Sequence, residues 1–198
     1  MKQISLIAMF IFFGCSVSGQ DDIAACVRNM VTKRDSLIKI GKDPFEAWTD
    51  CALNKKPPEF KLVTLNGDTI ISKQTEGKIV VLNFWFIDCH PCITEIPGLN
   101  KLVAEYKSKN VEFLAITWEA SKRIKEEFLV KYKLDFKIIP GAGKYISKAN
   151  GSGYPTTYIL DTKGIIREAW CGGRTDDKAG EEYYGKAKLV IDRLLKAQ

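Results

Sequence analysis

Cys89, His90, Pro91 and Cys92 put two thiols two residues apart, at a point where the pattern of the chain changes. Upstream, residues 79–86 (IVVLNFWF) form a short apolar run behind Gly77 and Lys78, as expected of a strand buried on both faces. Downstream, Ile93, Ile96, Leu99, Leu102, Val103 and Tyr106 recur at three- and four-residue spacing, the mark of a helix with one face on a sheet. Cys89 therefore falls at a helix N-terminus, where unpaired backbone N–H groups and the helix dipole stabilise an anion and lower a thiol pKa. Cys92 lies one turn inside and should be the less exposed sulfur. Such a pair divides dithiol exchange: Cys89 attacks a disulfide, and Cys92 resolves the mixed disulfide. That chemistry needs no metal or organic cofactor. His90 is the only histidine; protonated, it would favour the neighbouring thiolate, and otherwise it is a solvated rim residue. Pro91 restricts the backbone where a missing N–H costs little.

The elements that must hold this pair alternate along the chain. Strand patterns at 111–117 and 136–139 flank an amphipathic helix at 121–133, and a brief helix follows at 144–150. Strands at 158–160 and 165–170 make a hairpin around Asp161, Thr162, Lys163 and Gly164, and a helix over 181–196 closes the chain. This is an α/β pattern, and 198 residues at 45% hydrophobic content suffice for one principal core.

Three signatures in order resemble the thioredoxin superfamily and, within it, the bacterial TlpA/ResA-type extracytoplasmic thiol-disulfide oxidoreductases. They are PPEFKLVTLNGDTI (57–70), GKIVVLNFWFIDCHPCITEIPGLNKL around the cysteines, and GYPTTYILDTKGIIRE (153–168). The resemblance implies a thioredoxin-like fold with an opening β-hairpin and a central helix/strand insertion, over residues 57–198. It also implies that Pro155 is cis beside the cysteines and exposes the backbone of Tyr154 to a substrate strand. Thr156, Trp85 and Trp118 are further candidates for the substrate groove, although a strand-end tryptophan such as Trp118 is also ordinary packing. Glu95 matches a family glutamate near the dithiol. Three residues from Cys92, it can accept or return that thiol's proton, or act only as a solvated first-turn acid. Asn83 departs from cytoplasmic thioredoxins, which carry a buried aspartate there, so Glu95 or water must take over its task. Peroxiredoxin relatives share the fold, but they place a threonine or serine where this chain has Phe86. The implied partners are protein disulfides, extending to the haem-attachment cysteines of apocytochrome c, and a membrane thiol carrier as electron donor. Either direction of reaction, or an inert disulfide in a binding module, stays open at this level.

Residues 1–19 have a basic start at Lys2 and an apolar stretch too short to span a bilayer, as in an export signal. Two routes are open: cleavage after Gly19, or lipidation at Cys15 as an anchor. Either places the mature protein in the cell envelope or periplasm, where disulfides persist. Residues 20–56 predict a small helical hairpin. Ile23, Cys26, Val27 and Met30 share one face. Asp43, Pro44 and Glu46 form an N-cap, first-turn proline and capping-box acid, and Phe45, Trp48 and Cys51 face inward. Closing the hairpin brings Cys26 to Cys51, predicting a structural disulfide. Cys171 is the odd cysteine, read as packing. A zinc site is disfavoured because only one CxxC exists and His90 lies inside it. The net charge of +6 is spread among acids with no basic arm, which argues against nucleic acid as a partner.

Overall fold

The computed structural model describes residues 23–197; the expected export signal and Cys15 lie outside the described residues. Two helices come first, α1 (Ala24–Lys39) and α2 (Pro44–Ala52). Asp43 caps α2 by accepting from the Phe45 N–H at 2.8 Å, with Pro44 in the first turn. The reciprocal half of the expected capping box does not form. Cys26 and Cys51 are joined in a disulfide that ties the two helices together.

A two-stranded hairpin, β1 (Lys61–Val63) and β2 (Thr69–Ile71), precedes the main sheet. That sheet contains β3 (Ile79–Phe84), β4 (Val111–Ile116), β5 (Lys137–Ile139), β6 (Thr156–Leu160) and β7 (Ile166–Cys171) in the order β5-β4-β3-β6-β7. β3 runs parallel to β4 and β4 to β5, while β3–β6 and β6–β7 are antiparallel. All six residues of β3 are buried, which is why its sequence is apolar on both faces rather than alternating.

The helices divide between the faces. One carries α3 (His90–Thr94), α4 (Ile96–Tyr106) and α7 (Ala179–Lys196), packed over Ile79, Val81 and Trp85. The other carries α1, α2 and α6 (Gly143–Ala149), packed over Val80, Leu82 and Phe84. Side chains such as Leu102, Ile191 and Trp48 are fully buried, each contributing about 1.5–3 kcal/mol of hydrophobic stabilisation. α4 and α7 cross at Gly98, where a Cβ would lie 2.0 Å from the Gly180 carbonyl oxygen. Both outer strands have partners beyond the sheet. Ile166 of β7 bonds Asn54 and Lys55 through its carbonyl and N–H, both at 2.9 Å, and the Leu65 N–H donates to the Ile138 carbonyl of β5 at 2.8 Å.

Two expected helices differ. The one after Cys92 is broken in two at Glu95. Pro97 has no N–H to return to the carbonyl four residues back, so α4 starts afresh, with the Glu95 carbonyl accepting from Gly98 and Leu99. The expected helix over 121–133 shrinks to α5 (Ser121–Arg123) and a π-helical turn (Ile124–Phe128), closed by the Leu129 N–H on the Ile124 carbonyl at 2.9 Å. The widened turn keeps both Ile124 and Phe128 fully buried.

Candidate functional site

After Trp85 the chain leaves the sheet, and Cys89 becomes the N-cap of α3. Its sulfur accepts from the Cys92 N–H at 3.3 Å, His90 and Pro91 fill the first two helical positions, and Cys89 and Cys92 are joined in a disulfide. Both cysteines are buried, at 4% exposure for Cys89 and 3% for Cys92, so exposure barely distinguishes them. Their asymmetry lies instead in position. Only Cys89 sits at the open end of the helix, where the Cys92 N–H points at its sulfur and the helix dipole favours a thiolate over a thiol. His90 is exposed at the rim.

The segment entering this turn is held by charge. Glu119, buried at the end of β4, accepts from the Ile87 N–H at 3.3 Å and from Arg123, whose guanidinium also bridges to Asp88 at 2.8 Å and Glu127 at 3.0 Å. Nothing in the residue types singled out Arg123, since a lysine- and acid-rich helix reads as a solvated face.

Beneath α3 lies a buried polar chain. Glu95, at the break between α3 and α4, is 2% exposed and accepts from the Asn83 side-chain amide at 2.8 Å. Asn83 also donates to the Thr157 hydroxyl at 3.1 Å, and that hydroxyl shares a hydrogen bond with the Tyr183 hydroxyl at 3.3 Å. Burial pushes the Glu95 carboxyl up to about 8, against the opposing effect of the Asn83 hydrogen bond. Burial, reinforced by the neighbouring Glu95 charge, also raises the Tyr183 phenol. The reading of Glu95 as a solvated first-turn acid is therefore corrected: it is a buried acid able to hold a proton near neutral pH. Its Oε2 faces Gly173, whose Cβ position lies 3.7 Å from it, on a cleft of about 290 Å³ lined also by Trp170, Tyr183 and Lys186. Thr157 and Tyr183 escaped the sequence reading, because a buried hydroxyl at a strand or helix position looks like any other packed residue.

On the surface side, the Tyr154–Pro155 peptide bond is cis. The Pro155 ring lies 3.5 Å from the Cβ position of Gly173, which is itself 3.7 Å from Pro91. Tyr154 meets Phe86 and Trp118 edge-on, at 5.5 and 4.8 Å between ring centroids, and Phe86 stacks on Trp118 at 5.0 Å. Trp118 is 41% exposed, so the trio is an aromatic surface beside the dithiol. Among the described residues, no hydrogen bond engages the backbone of Tyr154.

Two expected groove residues lie elsewhere. Trp85 is 3% exposed and packs on Phe128 at 4.5 Å, because one residue past β3 it continues the row of Ile79 and Val81 into the core beneath the site. Thr156 is fully buried and donates to the Gly153 carbonyl at 2.7 Å, so it ties the loop together instead of meeting solvent. Cys171 is a free, half-buried thiol paired in register with Thr156; its sulfur lies 3.3 Å from the Cβ position of Gly153, and the residue also lines the cleft that reaches Glu95.

This arrangement defines a thioredoxin-like thiol-disulfide oxidoreductase: a CxxC at a helix N-terminus, a cis-proline beside it and a buried acid below. The comparisons agree. The model of the AhpC/TSA family matches residues 53–169, and the chain belongs to that family. The thioredoxin-like protein YneN of Bacillus subtilis is 35% identical over 124 residues, covering 61% of this chain and 72% of YneN. The thiol-disulfide oxidoreductase ResA of Bacillus thuringiensis is 33% identical over 127 residues, covering 64% of this chain and 73% of ResA. Among solved structures, a Chlorobium tepidum protein described as a thiol:disulfide interchange protein DsbE superposes with a TM-score of 0.58 at 27% identity, covering 69% of this chain and 97% of that one.

Proposed function

We propose that this protein reduces protein disulfides in the cell envelope, with Cys89 as nucleophile, Cys92 as resolving thiol and Glu95 as the proton-handling acid. The observation that carries the proposal is the placement of Cys89 at the α3 N-cap, with a buried carboxyl one turn beyond Cys92. The Cys89 thiolate attacks one sulfur of the substrate bond, forming a mixed disulfide and releasing a substrate thiolate. Glu95 in its ionised form, made a stronger base by burial, takes the proton of Cys92, which attacks the Cys89 sulfur. The second substrate thiol leaves, and the protein is left as the Cys89–Cys92 disulfide, two electrons poorer. A dithiol donor, in this reading a membrane thiol carrier, restores it. The Tyr154 backbone and the Phe86, Trp118 and Tyr154 rings offer an extended substrate hydrogen bonds and an apolar surface. Within this substrate class the proposal includes the haem-attachment cysteines of apocytochrome c, which the resemblance to TlpA/ResA-type proteins implies. Among the described residues no helix is long and apolar enough to cross a membrane, and envelope placement rests on residues 1–19. A peroxidase role is the weaker reading, since Phe86 puts an aromatic ring where a peroxide-orienting hydroxyl is required.

The test is the reduction potential of the Cys89/Cys92 pair in thiol redox buffers, together with turnover on a disulfide-bonded peptide. Superfamily potentials run from about −270 mV for reductants to about −120 mV for oxidants. A value near the first, with peptide turnover, supports the reductase. A value near the second assigns an oxidase, and a pair that resists dithiol reductants removes the enzymatic reading altogether.

A further inference from the structure

The loop that presents Tyr154 rests on the N-terminal helical hairpin. A Cβ at Gly151 would lie 2.6 Å from Cζ3 of Trp48 and 3.0 Å from the Val27 Cα. One at Gly153 would lie 3.2 Å from Cε1 of Phe45 and 3.3 Å from the Cys171 sulfur. Both glycines thus stand where the loop backbone meets the side chains of α2 directly. The inner side of the loop is tied to itself: the Asn150 amide donates to the Gly153 carbonyl at 3.0 Å and accepts from the Ser152 N–H at 3.1 Å, and Thr156 donates to the same carbonyl. The brace is fixed in turn. Trp48 is fully buried, and Cys26, the neighbour of Val27, is bonded to Cys51. Both helices lie outside residues 53–169, the part matched by the family model.

We infer that the disulfide-clamped hairpin is a positioning element for substrate, with Phe45 and Trp48 holding residues 151–155 so that the Tyr154 backbone stands ready for an incoming strand. A docking segment ordered in advance spares the complex the loss of freedom otherwise incurred at binding. Neither residue reaches the dithiol chemistry; they act through the loop. The inference rests on the reductase reading, and it predicts an effect on peptide capture and none on the exchange step.

Phe45→Ala is the informative variant, because Phe45 is 39% exposed and its loss should leave the core intact. The full-length protein, reduced beforehand with dithiothreitol, is oxidised by a disulfide-bonded peptide and, separately, by dithiobis(nitrobenzoate), which is too small to pair with Tyr154. Phe45→Ala is expected to raise the half-saturating peptide concentration about five- to tenfold, the equivalent of freeing one or two side chains' worth of order. Maximal rate, reaction with the small disulfide and the Cys89/Cys92 potential should stay at wild-type values. Phe45→Leu, which keeps an apolar contact, should restore peptide capture. Gly151→Ala, which pushes against Trp48 from the loop side, should reproduce the Phe45→Ala pattern. Unchanged half-saturation in both Phe45→Ala and Gly151→Ala overturns the inference while leaving the reductase reading in place. An equal loss with peptide and small disulfide also overturns it. A wild-type protein that does not react with the peptide at all overturns both.

Discussion

The molecule holds two disulfides of opposite character. Cys26–Cys51 joins the first turn of α1 to the last turn of α2 across 25 residues of chain, with Cys26 fully buried and neither cysteine at a helix N-cap. Cys89–Cys92 closes a loop of three residues at a helix N-cap, above a buried acid. The bond is chemically the same in both. What differs is what the reduced form would gain: in the second pair a thiolate meets the Cys92 N–H at a helix N-cap with a buried carboxyl below, and in the first it meets apolar packing. A disulfide is therefore reactive or structural according to how its surroundings treat the thiolate, and burial alone does not decide it, since all but Cys51 of the four cysteines are buried residues.

The sharpest way to break the contrast is at the sulfurs themselves. Cys89→Ser should lower turnover on a disulfide peptide by about a thousandfold or more, as loss of a nucleophile does. Cys92→Ser should accumulate the mixed disulfide, visible as a mass adduct. Residual turnover in Cys89→Ser would move the nucleophile elsewhere. Next comes Glu95. Its carboxyl is raised from an ordinary 4.5 to about 8 in the folded chain, so the folded state keeps a proton that the unfolded chain releases. The stability this gives is full below pH 4.5 and is lost as pH rises through about 8, a swing on the order of 5 kcal/mol. Denaturant titrations of the oxidised protein should show that decline, and Glu95→Gln should flatten it while slowing exchange about ten- to a hundredfold.

On the structural side, replacing Cys26 and Cys51 together by Ala should cost about 3.5 kcal/mol of stability on the chain-entropy model. The Cys89/Cys92 potential should not move with it. A shift beyond about 30 mV, roughly 1.4 kcal/mol for two electrons, would show that the two bonds are not independent. The smallest effect is expected at Trp118→Ala. Losing one exposed ring should weaken peptide capture about threefold, within the ~0.5–1.5 kcal/mol typical of an aromatic pair, and leave the melting temperature nearly unchanged.

Much of the site could be read from the chain because its cues are local. A CxxC between an apolar run and a helical period, the GYPTT segment and the Asp43–Pro44 cap each announce themselves within a few residues. What was hidden depends on side chains distant in sequence. Asn83, Thr157 and Tyr183 meet only once β3, β6 and α7 are stacked, and Arg123 becomes a clamp only when β4 ends beside Asp88. Trp85 shows the reverse failure: lying next to the motif suggested a groove residue, but strand alternation sends it inward. The 121–133 segment misled for a similar reason, because the π-helical turn satisfies the same apolar spacing as an α-helix.

The hydrogen bonds that finish the outer strands matter beyond the fold. A protein that works by lending a stretch of backbone to a passing extended chain invites such chains anywhere its backbone is open, and exposed sheet edges are common routes to aggregation. Here Asn54 and Lys55 occupy Ile166 of β7, and Leu65 occupies Ile138 of β5. Each outer strand is thus blocked at one point, Ile166 and Ile138, and on the proposed reading the Tyr154 backbone beside the dithiol is where a visiting strand would pair.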